Sequence, residues 1–266
     1  MFETDSSNRS LRWIYQSAPE VRRIAGSPGS ILVVPIGSIE QHGVHLPVAT
    51  DSLLATAVSL GAGSKTAEET TLLVGPTVWS GYSPHHRSLG GTLTAPFGEL
   101  LSYLRSIVAA GVENGFDAVL FVNGHGGNRP LVGALTSELG RDDPDREYLG
   151  ITYFELATEL IEELRDSDPG GMAHGGEFET SLMLQLYPEL VGTETTAAYL
   201  EEPYDLGDRD LVDPGPLSVY RPFEAYSDSG AIGDPSAATA TKGATLYDAI
   251  TDELAALFDE ISRRNR

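Results

Sequence analysis

The sequence predicts an α/β fold on a mostly parallel sheet, and three observations carry that expectation. Short β-branched or apolar runs recur at 31–36, 71–74, 117–122 and 147–154. The stretches between them read as helix, and strands that alternate with helices pair in parallel through crossovers, with both faces of the sheet covered. Two of the strand-like runs end in glycine and ligand-type side chains, as open α/β sheets do where sites form at the carboxyl ends of their strands. A chain of 266 residues can bury one large core, so a single domain over 1–266 is expected.

Taken in order, the run ILVVPI at 31–36 is the first strand, a helix is expected over 51–60, and the second strand lies at 71–74. In FGELLSYLRSIVAAGVENG, Leu100, Leu101, Leu104, Ile107 and Val108 recur at the spacing that gives a helix one buried stripe. The third strand, at 117–122, leads to a helix over 130–139, and the fourth strand follows at 147–154. Two further helices are expected over 177–186 and 241–262. Between 191 and 234 Pro, Gly, Asp and Tyr are frequent and no period is sustained, so this segment reads as a surface excursion too long to be idle.

Charge narrows the function. There are 39 acidic residues against 17 basic ones, a formal net charge of −22 spread along the chain. Nucleic acid is excluded as a main partner, because its footprint needs a basic face. A carboxylate surface with only two lysines, Lys65 and Lys242, suits concentrated salt, where screening removes most of its self-repulsion. A salt-rich cytosol is therefore the expected setting. With no cysteine, disulfides, a thiolate nucleophile and a cysteine zinc finger are all excluded. The opening MFETDSSNRS lacks the basic-then-apolar order of a secretion signal, and no window approaches the roughly 18 apolar residues of a membrane span. The expectation is a soluble cytoplasmic protein without a membrane partner.

Four clusters carry candidate chemistry. The first, ILVVPIGSIEQHGVHLPVATD, holds Glu40, His42, His45 and Asp51. Glu40 and His42 are two apart, so both emerge on one side of an extended segment, and Asp51 opens a helix from which its carboxylate can face back. Imidazole with carboxylates suits Zn²⁺, Mn²⁺ or Fe²⁺. The plain alternative makes Asp51 a helix N-cap and Glu40 a surface acid, and His45 reads equally as core packing beside Leu46 and Pro47. The second cluster, NGHGGN, presents His125 at a strand end among glycines that permit a tight turn. It lacks the Lys and Ser/Thr of a phosphate loop, so metal ligation by His125 is the better reading. In the third, HGGEFETSLML, His174 precedes Glu177 by three at a helix entry, where Glu177 or Glu179 could equally be capping carboxylates. The fourth, GYSPHHR, places Tyr82, His85 and His86 on a loop, where contact with substrate or with another subunit is the favoured role and a plain surface loop the alternative.

Together GSIEQHGVHLPVATD, NGHGGN, HGGEFETSLML and GAIGDPSAATATKG resemble the creatininase family of metal-dependent amidohydrolases, over about residues 31–245. The resemblance implies a three-layer α/β/α fold with a pair of divalent ions at the carboxyl edge of the sheet. It implies Glu40, His42, Asp51 and His125 as metal ligands with Asp51 bridging, His174 as a proton-transfer group, and a homo-hexamer. Two departures stand out. Gly127 occupies the place of a glutamate ligand of creatininase proper, and Gly170 and Gly171 stand where that enzyme has a tryptophan that closes over creatinine. Glu177 is expected either to replace the missing ligand or to act as a base.

The function expected is hydrolysis of a C–N amide bond in a small molecule or small peptide. Two divalent ions would lower the pKa of a shared water and stabilise the oxyanion, while His174 protonates the leaving nitrogen. Creatinine or another cyclic amide, a formamide, and a small modified peptide compete as substrates. A metal-stabilised scaffold or small-molecule sensor is the reading from a different class.

Overall fold

The computed structural model describes residues 8–201, 203–213 and 215–266. Its helices are α1 (Ala18–Ala25), α2 (Thr50–Gly63), α3 (Phe97–Val112), α4 (Arg129–Asp142), α5 (Thr158–Leu164), α6 (Glu177–Leu186) and α7 (Ala240–Arg264). The strands β1 (Ile31–Ile36), β2 (Leu72–Val74), β3 (Ala118–Asn123) and β4 (Glu147–Thr152) form one sheet in the order β2-β1-β3-β4. All three pairings are parallel. Ile36 lies opposite Asn123, and Asn123 opposite Thr152, so the segments that leave β1, β3 and β4 emerge side by side.

Alternation along the strands builds two cores. Ile31, Val33, Leu120 and Val122 pack on Leu54 and Val58 of α2, Leu182 of α6 and Ile250 and Phe258 of α7. Leu32, Val34, Val119 and Phe121 face the other way, against Ile24 of α1, Leu104 of α3 and Leu135 of α4. Each of these side chains, once fully buried, contributes roughly 1.5–3 kcal/mol. The result is a three-layer α/β/α arrangement, which explains why β1 and β3 are buried at every position, with no polar alternation.

Several boundaries differ from the sequence expectation. β4 ends at Thr152 and not at 154, because Tyr153–Glu155 folds into a single 3-10 turn that buries Tyr153 and Phe154. Helix α1 was not expected, although Ser17 and Glu20 carry its signal: the Glu20 carboxylate accepts from the Ser17 N–H at 2.9 Å and from its hydroxyl at 2.8 Å. Among its described residues the excursion over 191–234 contains one 3-10 turn, Phe223–Ala225, and an isolated pairing of Ala198 with Gly233. Among the described residues no helix is long and apolar enough to cross a membrane.

Candidate metal centre

The chain leaving β1 folds back on itself, with the Glu40 N–H donating to the Val48 carbonyl at 2.9 Å. The Ser52 hydroxyl donates to the Ser38 carbonyl at 3.1 Å and so ties the first turn of α2 to the same segment. Asp51 is thereby brought beside Glu40 and His42. Ala49 is the N-cap of α2 and Asp51 lies inside its first turn, so Asp51 is not a cap; Glu40 is wholly buried, so it is not a surface acid.

Three histidines share one construction. His42 Nδ1 donates to the Glu40 carbonyl at 3.0 Å, which turns Nε2 to within 3.0 Å of Asp51 Oδ1 and 3.8 Å of Glu179 Oε1. His125 Nε2 donates to the Tyr82 carbonyl at 3.2 Å, leaving Nδ1 3.0 Å from Glu40 Oε1 and 3.3 Å from Asp51 Oδ2. His174 Nε2 donates to the Gln41 carbonyl at 2.6 Å, and its Nδ1 lies 3.7 Å from Glu40 Oε1. A carbonyl can only accept, so each contact fixes the ring's orientation and frees the other nitrogen toward the carboxylates.

Burial and neighbouring charge set the protonation. Burial pushes the Glu40 carboxyl up, but the His125 and His86 rings outweigh it and hold it well below the usual range. Burial works against charge on His42 and His125 as well. Asp51 nevertheless raises His42 well above its ordinary value, and Glu40 with Asp51 raises His125 to about 10. Burial and then the repulsion of Glu40 push Asp51 up. Burial, reinforced by His42, drives His174 well below its ordinary value.

Among the described residues, three overlapping sets of side chains have ligand atoms within 4.8 Å of one another: Glu40, Asp51 and His125; His42, Asp51 and Glu179; Glu40, His42 and His174. Asp51 belongs to the first two. Glu40 Oε1 and Asp51 Oδ2 are sealed from water and make no well-aligned hydrogen bond, with the ring nitrogens of His125 and His86 as near neighbours. Buried carboxylate oxygens in that condition are costly unless a cation or its water answers them. This donor set of imidazole nitrogen and carboxylate oxygen fits divalent Zn, Mn or Fe.

The glutamate missing at 127 is excluded by geometry. A Cβ on Gly127 would lie 2.5 Å from His125 Nε2 and 2.5 Å from the Tyr82 carbonyl oxygen. The third carboxylate comes from α6 instead, where Glu179 is steadied by the Gly175 N–H donating to Oε2 at 2.7 Å. Glu177 does not join the cluster, which corrects the expectation for it. Residues two apart on a helix do not share a face. With Glu179 turned inward, the Glu177 carboxylate accepts from the N–H groups of Asp166 at 3.0 Å and Ser167 at 2.9 Å and pairs with Lys242.

The GYSPHHR loop divides. His86 is wholly buried with Nε2 3.2 Å from Glu40 Oε1, and His85 stacks on His125 with ring centroids 5.7 Å apart. Burial, with His125 beside it, lowers His85 to about 4. The Tyr82 ring packs edge-on against Phe97 at 5.4 Å, away from the site cleft, so only its backbone carbonyl serves the cluster. His45 bonds Thr180 Oγ1 through Nε2 at 3.0 Å and lies outside all three ligand sets.

Sequence reasoning missed Ser83, Gln41 and Phe223. The Ser83 hydroxyl donates to Glu40 Oε2 at 2.5 Å and lies 2.5 Å from the Ser38 hydroxyl. Gln41 Nε2 donates to the Gly230 carbonyl at 3.0 Å and to His86 Nδ1 at the same distance, tying the excursion to the site. The QH pair was in view, but neither Ser nor Gln is distinctive alone; only the fold reveals what they touch. A cleft of about 260 Å³ is lined by Glu40, His85, His86, His125, His174 and Phe223.

Comparison with known proteins points to one family. The family model described as creatinine amidohydrolase matches residues 15–258. A mycofactocin precursor peptide peptidase of Mycobacterium tuberculosis is 34% identical over 84% of this chain and 82% of its own length. A creatinine amidohydrolase of Pseudomonas putida is 30% identical over 78% of this chain and 76% of its own. The crystal structure of a creatininase superposes with a TM-score of 0.79, covering 94% of this chain and 97% of that one at 24% identity. The chain belongs to the creatininase family.

Proposed function

We propose that the protein is a divalent-metal-dependent amidohydrolase with two ions that share Asp51. The observation that carries this reading is the pair of three-ligand sets joined at Asp51, buried at the carboxyl edge of a parallel sheet. Glu40, Asp51 and His125 would hold one ion, and His42, Asp51 and Glu179 the other. Bound there, divalent cations supply an acidified water and polarisation of the scissile carbonyl.

The chain's own side chains do the rest. His174, kept neutral by burial and with its Nε2 proton committed to the Gln41 carbonyl, offers the Nδ1 lone pair to the cleft. It is placed to take a proton there and return it to the leaving nitrogen. A scaffold or sensor has no need of such a group. His85 and His86 line the cleft and would contact the substrate.

The substrate we favour is an amide larger than creatinine, such as a small peptide. A tryptophan lid has no room at 170, where a Cβ would come within 2.9 Å of the Leu200 backbone nitrogen. Small planar creatinine would lack the surface that holds it in line, and lost positioning costs several kcal/mol of barrier. The same reading takes the chain as one domain, assembled as a homo-oligomer of the family's hexameric type and working in a salt-rich cytosol.

Release of amine or ammonia from a panel of creatinine, formamides, N-acylamino-acid amides and short peptides tests the proposal. Turnover that disappears on chelation and returns with Mn²⁺ or Zn²⁺ supports it. A fully metal-loaded protein inert toward every amide contradicts it.

A further inference from the structure

The excursion over 191–234 places apolar side chains over a charged site. Leu217 and Val219 are each 38% exposed and Tyr220 is 68% exposed, yet all three line the cleft that also holds Glu40 and His174. Phe223 stands among the histidines of the site. Its ring centroid lies 4.0 Å from that of His86, 4.8 Å from His85 and 5.1 Å from His174, and Tyr226 stands edge-on behind it at 6.3 Å. Apolar groups left exposed along a cleft mark a place that an apolar ligand covers.

Aromatic rings favour tilted and edge-to-face neighbours, and Phe223 already shows this geometry toward His85, His86 and His174. A second flat ring entering the cleft would meet the same array. At about 260 Å³ the cleft lies below the roughly 300–1,000 Å³ of sites that enclose a whole drug-sized ligand. It takes one residue-sized group and leaves the remainder of a longer amide outside.

We propose that Phe223, with Tyr220 and Tyr226 beside it, is a specificity-determining wall that selects amides carrying a flat aromatic side chain next to the scissile bond. The inference rests on the amidohydrolase reading for which bond is cut, but not for what binds. Remote binding of this kind replaces the orientation that an aromatic lid supplies to a small substrate.

The test uses the full-length chain, chelated and then supplied with Mn²⁺, and calorimetric titration of three probes. These are the N-acetyl amides of phenylalanine, cyclohexylalanine and alanine. The first two differ in flatness and π-character and are similar in bulk. The phenylalanine probe is expected to bind roughly three- to tenfold more tightly than the cyclohexyl one, the gain typical of an aromatic pair. Phe223→Leu should erase that preference and Phe223→Tyr should keep it, each with an unchanged melting temperature. Equal binding of the phenyl and cyclohexyl probes, a preference that survives Phe223→Leu, or no binding of any probe overturns the wall. An aromatic preference without hydrolysis in Mn²⁺ leaves the wall standing and counts against the amidohydrolase.

Discussion

Asp51 Oδ1 lies 3.0 Å from His42 Nε2, so a cation held by both would take the place between them. The carboxylate holds the imidazole protonated well above its ordinary range despite complete burial. Glu40 and Asp51 do the same for His125, at about 10. On the proposed reading, metal binding here would release protons.

Loading the chelated protein at pH 7 should expel about two protons, one from each of these histidines. Titrating Mn²⁺ in buffers of different ionisation enthalpy measures the number. The sign for stability follows from the same shifts. A pKa raised on folding contributes stability that is fully present below the ordinary histidine range and is lost as pH climbs through the folded value. The melting temperature of the chelated protein should thus fall between pH 7 and pH 10 more steeply than that of the metal-loaded protein. Uptake of protons on loading, or no exchange, would mean that these rings are neutral before the metal arrives.

Glu179→Gln should remove one ion and leave the other. Only the set of His42, Asp51 and Glu179 depends on it, while Glu40, Asp51 and His125 are untouched. Metal content by mass spectrometry is expected to drop from two ions per chain to one. Gly127→Glu in that background should not restore the second, because a side chain at 127 meets the His125 ring.

Glu177→Ala should damage the fold and not the chemistry. Its carboxylate joins the 166–167 backbone to Lys242, with side-chain exposures of 0% and 11% for the pair. Breaking one side of a buried ion pair costs about 3–5 kcal/mol. Denaturant unfolding should show that loss, while folded protein retains its metal and most of its turnover. Loss of metal at undiminished stability would return Glu177 to the site.

His174→Ala separates proton transfer from metal binding. Two full ligand sets remain without it, so metal content should hold while the rate falls by roughly 10²–10⁴, the usual size of a general acid–base contribution. Amides with better leaving groups should lose less. A mutant that loses metal instead would make His174 a ligand.

What the sequence displayed and what it hid divide along physical lines. Continuous apolar runs marked β1 and β3 because parallel strands covered on both faces tolerate no polar alternation. Glu40, His42, Asp51 and His125 stood out because ligand-type residues cluster tightly after those strands, and the structure brings all four together. Glu177 and Glu179 could not be separated by spacing alone, since which face of α6 turns inward is decided by its packing on α2 and α7 through Phe178, Leu182 and Met183. Phe223 lies 49 residues beyond His174 in a segment without periodicity, so nothing local announced that its ring would stand over three histidines. The Tyr82 ring went astray because a loop gives no rule for side-chain direction, and Phe97 offered it an apolar partner.

Anomalous diffraction from crystals grown with Mn²⁺ tests the two-ion centre most directly. The account predicts two peaks, each within roughly 2.0–2.3 Å of an Asp51 carboxylate oxygen, one also bound by Glu40 and His125 Nδ1 and the other by His42 Nε2 and Glu179. A single peak, or two peaks of which neither touches Asp51, would contradict it.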